Sequence, residues 1–426
     1  MYLYLLSCVL LTLVVVNGDT RSVWDEGFQP SLREVLNWSQ LDFQFPSQVA
    51  RNQAIANGNF VANLSMVPIG VAAAGDRIFL AIPRWRSGVP ATLAYVRFPS
   101  NTTSPLLMPY PSWELNRLGS GCNSIVSTLR VKVDECNRLW LADSGVAAGR
   151  KYCNPKVTVI DLNTDRILQT IYLPSGALKE DSSFANIEVE YPNGTCGRHN
   201  DAVLYIADNR RFALIVYDLK ANKAWRVTDK TMYPSPEEGT IYVAGENFEL
   251  MDGVIGLALG PKSNTSAGRT LYFSALTSNQ QHWVNTSVLR DESLANNSPT
   301  AFIKGSQPRP GQSAGYDMDK NGVLFFGLVN RDALACWNTR KTFEPTRIAR
   351  LAQNNDTMQF ISTVSVDQSQ RLWALSSRYH KYFLHTMDPT EINFRIFMAE
   401  STTDLIKGTV CMSERCDLNP QQTPVS

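Results

Sequence analysis

The sequence predicts an all-β fold, a six-bladed β-propeller of four-stranded antiparallel blades around a central channel. Helical periodicity is scarce, while strand-like alternation punctuated by Gly, Asn, Asp and Pro runs through the chain. One phrase recurs in register: VDECNRLW at 133–140, MDKNGVLF at 318–325 and VDQSQRLW at 366–373. Each copy is an apolar residue, an Asp, turn residues, and then Leu-Trp or Leu-Phe. This spells a β-hairpin whose Asp bonds the backbone of the turn and whose second strand opens on large residues. Looser copies of that strand are RIFLAIP at 77–83, VLYIADN at 203–209 and TLYFSAL at 270–276. Six second strands thus start at 77, 138, 203, 270, 323 and 371, and each interval has room for four strands and their loops. Repeated four-stranded units of this kind stack radially into a propeller.

Along the chain, residues 1–18 carry no charged side chain and are mostly aliphatic from Leu3 to Val16. The apolar run is shorter than the roughly 20 residues of a spanning helix, so it reads as a secretory signal peptide. The propeller is expected over 19–411 and a polar tail over 412–426. A short helical turn is expected near Ser31–Leu36. The blade pattern is clearest at 127–174 (STLRVKVD, RLWLADSG, KVTVIDL, RILQTIYLP) and again at 183–229.

The chain has 426 residues, 44% apolar and 19% charged, which excludes a disordered or collagen-like class. Its net charge of +1 gives no basic excess for counterion release, so no nucleic-acid partner is expected. No later apolar run is long enough to span a membrane, so none is expected after signal cleavage. Sequons at Asn37, Asn63, Asn101, Asn193, Asn264, Asn285, Asn296 and Asn355 agree with export and glycosylation. With Cys8 removed alongside the signal, Cys122, Cys136, Cys153, Cys196, Cys336, Cys411 and Cys416 remain. They contain no CxxC pair, so disulfides are expected rather than a zinc knuckle, with one cysteine left over.

From about residue 35 to 411 the chain resembles the insect yellow and major royal jelly proteins. The resemblance is carried by WSQLDFQFP at 38–46, AIPRWRSGVPATLAYV at 81–96, RVKVDECNRLWLADSG at 130–145 and GTIYVAGENFEL at 239–250, with RTLYFSAL at 269–276, LACWNT at 334–339 and NFRIF at 393–397. These tracts look closer to the yellow proteins of cuticle melanisation than to the nutritive royal jelly branch. The resemblance implies a secreted six-bladed propeller and the pairs Cys122–Cys153, Cys136–Cys196 and Cys336–Cys411. Some members convert dopachrome. Salivary members that bind amines align Thr, Asn and Phe with Ser362, Ser377 and Tyr379 of this chain. The implied site is therefore one mouth of the channel with Tyr379 and Ser362 on its wall, and the implied partner is a small catechol, indole or amine.

The residues themselves offer little catalytic chemistry. HExxH, GxSxG, Walker and dinucleotide fingerprints are absent, and no cofactor or metal is expected. His380 and His385 lie in a stretch expected to be a strand, where five residues of separation puts them on opposite faces. Asp134, Asp319 and Asp367 recur because the hairpin recurs, which makes them turn caps. Asp143 and Asp208 end second strands, as turn residues or as groups facing the axis. Trp140, Trp373 and Phe325 share one place and read as packing between blades. Arg84, in the loop Pro83-Arg84-Trp85-Arg86, is either a contact for an anionic aromatic ligand or part of a salt-bridged turn. Three classes stay open: a dopachrome-converting enzyme, a binder of catechols or amines, and a structural or signalling cuticle protein.

Overall fold

The computed structural model of the chain describes residues 27–28, 31–62, 65–193, 196–262 and 268–412. The expected signal peptide, Asn63, Asn264, Cys416 and nearly all of the polar tail lie outside the described residues. Six antiparallel sheets make the six blades. Their inner strands are Gly70–Ala74, Thr128–Val133, Phe184–Glu190, Val254–Leu259, Tyr316–Met318 and Ile361–Val366. Each inner strand lies against that of the next blade, and the sixth lies against the first, so the ring is closed. The second strands are Arg77–Ala81, Arg138–Asp143, Val203–Asp208, Thr270–Ala275, Val323–Leu328 and Leu372–Ser376, one per blade, the first five at the expected starts and the sixth one residue later.

The repeated Asp does cap the turn. Asp134 Oδ1 accepts from the backbone N–H of Cys136 and Arg138 at 2.8 and 2.9 Å, and Asp367 Oδ1 accepts from that of Arg371 at 2.9 Å. The other carboxylate oxygen explains the tryptophan. Trp140 Nε1 donates to Asp134 Oδ2 at 2.7 Å, and Trp373 Nε1 donates to Asp367 Oδ2 at 3.1 Å. In the fifth blade Phe325 offers no such donor, and burial pushes the Asp319 carboxyl up.

The sixth blade is completed by the start of the chain. Leu32–Trp38 pairs antiparallel with Phe394–Ala399, with Leu32 opposite Ala399 and Trp38 opposite Phe394. The helical turn expected near Ser31–Leu36 is thus a strand. A bulge between Glu34 and Leu36 spaces the buried residues Leu32, Leu36 and Trp38 unevenly, which breaks the alternation that marks a strand in sequence. The disulfides are Cys122–Cys153, Cys136–Cys196 and Cys336–Cys411, the pairs that the resemblance implies. The last ties residue 411 to the third strand of blade five. At about 2–4 kcal/mol each, they brace loops that the sheets do not hold.

Inner strands are sheet edges, so their outward carbonyls need donors. Arg130, fully buried, reaches across the axis from blade two and donates to the carbonyls of Ile255 (3.0 Å), Ala314 (3.1 Å) and Ser362, and to Thr363 Oγ1 (3.2 Å). One guanidinium thereby ties blades two, four, five and six. Close approach of the strands depends on glycine: a Cβ at Gly70 would lie 2.7 Å from Leu129 O, and one at Gly315 would lie 2.6 Å from Val364 N.

Candidate functional site

We call the face carrying the loops between blades the upper face, and that carrying the hairpins between inner and second strands the lower face. On the upper face the segment joining blades three and four folds into a hairpin, Thr240–Val243 with Glu246–Glu249. Its turn, Ala244-Gly245, has φ of 47° and 88°, the positive pair of a tight two-residue β-hairpin. Ile241, Val243 and Phe248 of this hairpin form one apolar cluster with Leu129, Ala185, Ile255 and Ala314 from the upper ends of four inner strands. The upper mouth of the channel is therefore closed by carbon.

Beside the hairpin stands the short helix Tyr379–Leu384, between left-handed residues Arg378 (φ 44°) and His385 (φ 62°). This corrects the strand expected around His380 and His385. A helix of little more than one turn, rich in aromatic residues, carries no readable period. Tyr379 is the centre of an aromatic nest. Its ring centroid lies 4.9 Å from Phe360, 5.6 Å from Trp85, 6.2 Å from Phe248 and 6.1 Å from Phe383. The Arg86 guanidinium sits 4.0 Å over the Tyr382 ring and donates to the Tyr382 carbonyl at 2.7 Å. Lys381 Nζ lies 3.5 Å from Glu246 Oε1, and Thr386 Oγ1 donates to Glu246 Oε2 at 3.2 Å, which pins the hairpin to the helix.

Around the nest, buried polar atoms lack a hydrogen-bond partner among the described residues: Ser377 Oγ, the Tyr382 hydroxyl and both ring nitrogens of His380. Burial pushes His380 down to about 3 and the Tyr382 phenol up to about 12, so both are neutral at physiological pH. Burial, and then the nearby Asp252 carboxylate, pushes the Tyr379 phenol up. Asp252 is itself pushed up by burial, against a hydrogen bond from Asn209 and the weaker pull of Arg210. Asp252 is not marked in the sequence, since a lone Asp in a loop carries no motif, and the hairpin enters there only as the tract GTIYVAGENFEL of the family resemblance, with no site role attached.

The four residues singled out for ligand contact part company. Tyr379 and Ser377 belong to the nest. Ser362 is buried at a bulge between Ile361 and Thr363, and its hydroxyl donates to Leu375 O at 3.3 Å within its own blade. Arg84 forms no salt-bridged turn among the described residues. It is buried, and its five N–H donors are spent on the carbonyls of Val89, Ile125, Val126, Pro90 and Asn116 at 2.6–3.1 Å. Burial pushes it down to about 10, partly offset by Asp143. Asp143 and Asp208 are strand-end caps. Asp143 accepts from the N–H groups of Val126, Ser127 and Gly145, while Asp208 accepts from Ser182 Oγ, Ser183 N and Arg226.

The lower half of the channel is charged. Lys132 Nζ donates to Glu188 Oε1 at 2.8 Å and to Asp317 Oδ1 at 2.9 Å, joining blades two, three and five. Desolvation pushes Glu188 up to about 7 despite Lys132.

The family model for major royal jelly protein matches residues 126–411. The yellow protein of Drosophila melanogaster is 36% identical over 388 residues, covering 89% of this chain and 70% of that one. The chain belongs to the yellow/major royal jelly protein family. A second yellow protein, from Drosophila yakuba, is 35% identical over 411 residues and covers 95% of this chain and 74% of its own. Among solved structures, a virginiamycin B lyase from Staphylococcus aureus aligns at a TM-score of 0.41 with 12% identity, covering 74% of this chain and 79% of that one, a likeness on which nothing here rests. Two of the yellow-family tracts build the upper face. AIPRWRSGVPATLAYV holds Arg84 and the Trp85 wall, and GTIYVAGENFEL is the hairpin over the mouth. Three disulfides point to an oxidising compartment. No helix of the described residues is long and apolar enough to cross a membrane.

Proposed function

We propose that this yellow-family chain is secreted, acts in cuticle pigmentation, and binds a small aromatic catechol or indole at the upper mouth of its propeller. The observation that carries the reading is the Tyr379 nest, where several rings converge beside the buried, unpartnered Ser377 hydroxyl. Rings offer flat faces to a catechol or indole, and buried hydroxyls without partners gain most from a ligand oxygen or N–H. Asp252, whose charge bears on Tyr379, would pair with the ammonium of an aromatic amine.

A second reading, conversion of dopachrome, draws on the buried Asp252 carboxyl, which burial pushes up and which feels the charge of Arg210. Tautomerisation needs a base for a carbon-bound proton and a cation for the carboxylate, and in this reading Asp252 is the base and Arg210 the cation. Calorimetry with dopamine, dopa and serotonin tests binding. Tyr379→Ala is expected to weaken the best ligand by ~1–3 kcal/mol, or ~5- to 150-fold. Equal affinity in both proteins removes Tyr379 from the site, and no binding of any of the three favours a structural cuticle role. Loss of dopachrome absorbance with native but not heat-treated protein establishes the second reading.

A further inference from the structure

On the lower face, far from the aromatic nest, a groove of about 360 Å³ runs between blades three and four. Val203 lies at its buried floor, Asp201, Asp218 and Lys220 line the blade-three side, and Arg290 and Asp291 line the blade-four side. Its rim carries exposed Asn193, the acceptor of the sequon Asn193-Gly194-Thr195. The loop bearing Asn193 is held on both sides. The Tyr191 hydroxyl donates to Asp134 Oδ2 at 2.6 Å, Arg138 donates to Gly197 O at 2.7 Å, and Cys196 is bonded to Cys136.

The lining is suited to a neutral, polyhydroxylated ligand. Each aspartate spends one carboxylate oxygen on a local backbone N–H: Asp201 on that of Arg198, Asp218 on that of Ala221, Asp291 on those of Ser293 and Leu294. The second oxygen of each remains an acceptor for sugar hydroxyls. Lys220 and Arg290 have no ion pair among the described residues; Arg290 spends its Nε on the Thr286 carbonyl at 3.3 Å, and its terminal N–H groups with the Lys220 ammonium remain donors for an acetamido carbonyl. Three carboxylates against two cations disfavour an anion, and the apolar floor suits the ring face of a sugar.

We propose that Asn193 is glycosylated and that the two N-acetylglucosamine residues at the root of its glycan occupy this groove, bridging blades three and four. A sugar attached to a lining residue begins at the groove by covalent necessity. The adjoining acceptors and donors are what would hold it there rather than leave it in solvent. The proposal requires export of the chain but is independent of any ligand at the upper mouth.

The test uses full-length protein secreted from insect cells. Native and denatured samples are treated with peptide N-glycosidase, and deamidation at Asn193, Asn101 and Asn355 is followed by mass spectrometry. All three asparagines are exposed. The expected result is an occupied Asn193 whose glycan is released several-fold more slowly, relative to the denatured sample, than those at the other two sites. Asp218→Ala with Arg290→Ala should remove that protection while glycosylation remains. Lys220→Ala, on an exposed side chain, is the companion variant should the double variant fail to fold, and it should reduce the protection. An unoccupied Asn193, release as fast as at the other sites, or protection unchanged in the variants would overturn the proposal.

Discussion

Above Arg130 the channel is closed by Ile241, Val243 and Phe248 seated on the ends of the inner strands; below it, Lys132, Glu188 and Asp317 close it with charge. The two closures differ in what opening them costs. Lifting an apolar hairpin exposes surface at about 25 cal/mol per Å², and a bound aromatic ring can re-cover that surface. Pulling one partner from the lower triad leaves a desolvated charge, at a cost of about 3–5 kcal/mol. A channel built this way costs less to open from above than from below.

The largest effect expected is at the divide itself. Arg130→Met should lower the unfolding free energy by at least ~3 kcal/mol in urea titration, because edge carbonyls of three blades lose their donor in a dry interior. Lys should not rescue this position, since an ammonium cannot reproduce the planar fork. If Arg130→Met is as stable as the parent, the two halves are not separated by a structural hub.

Phe248→Ala should cost ~2–4 kcal/mol if the plug is packed like a core, and should at the same time speed ligand association at the upper mouth. Stopped-flow fluorescence of the nest tryptophan Trp85 would read the second part. A stability loss with no change in association would mean that the hairpin does not gate the mouth.

His380 in the upper half and Glu188 in the lower should also respond oppositely to pH. His380 is depressed from 6.5 to about 3, so the stability it contributes is present above pH 6.5 and is lost as pH falls toward 3. Glu188 is raised from 4.5 to about 7, so its contribution is present below pH 4.5 and is lost as pH rises through 7. His380→Phe should flatten the acid limb of the Tm profile, and Glu188→Gln the limb between pH 4.5 and 7. Asp332, buried against the hairpin turn and pushed up to about 7, adds to that same limb, so Glu188→Gln removes only part of it. Identical profiles for both variants would break the comparison.

The smallest effect is in the hairpin repeat. Trp140→Phe makes blade two resemble blade five, and should cost only ~1 kcal/mol for the lost indole bond plus the packing difference. A loss several times larger would mean that the bond to Asp134 organises more than its own turn.

How much the sequence disclosed followed the range of the interactions. The second strands and their Asp caps are local, since turn, cap and first large residue lie within eight positions, and the repeat exposed all six blades. The strand Leu32–Trp38 reads as a helical turn in sequence because its partner lies near the other end of the chain and its bulge hides the alternation. Arg84 and Arg130 look like any surface arginine in sequence; only the assembled ring shows carbonyls converging on them. The aromatic nest was half visible. Tyr379 came from the family pattern, but Phe248, Phe360, Trp85 and Asp252 meet it from separate loops, a coincidence of three dimensions that no linear pattern records.

The closing strand has a consequence for the order of events in synthesis. Leu32–Trp38 leaves the ribosome before any blade exists, and its partner Phe394–Ala399 leaves after nearly all of them. Through most of translation the early strand is an edge without a mate, and blade six cannot be finished until the chain is almost complete. Whatever compartment receives the nascent chain must shield that edge until Phe394–Ala399 emerges to meet it.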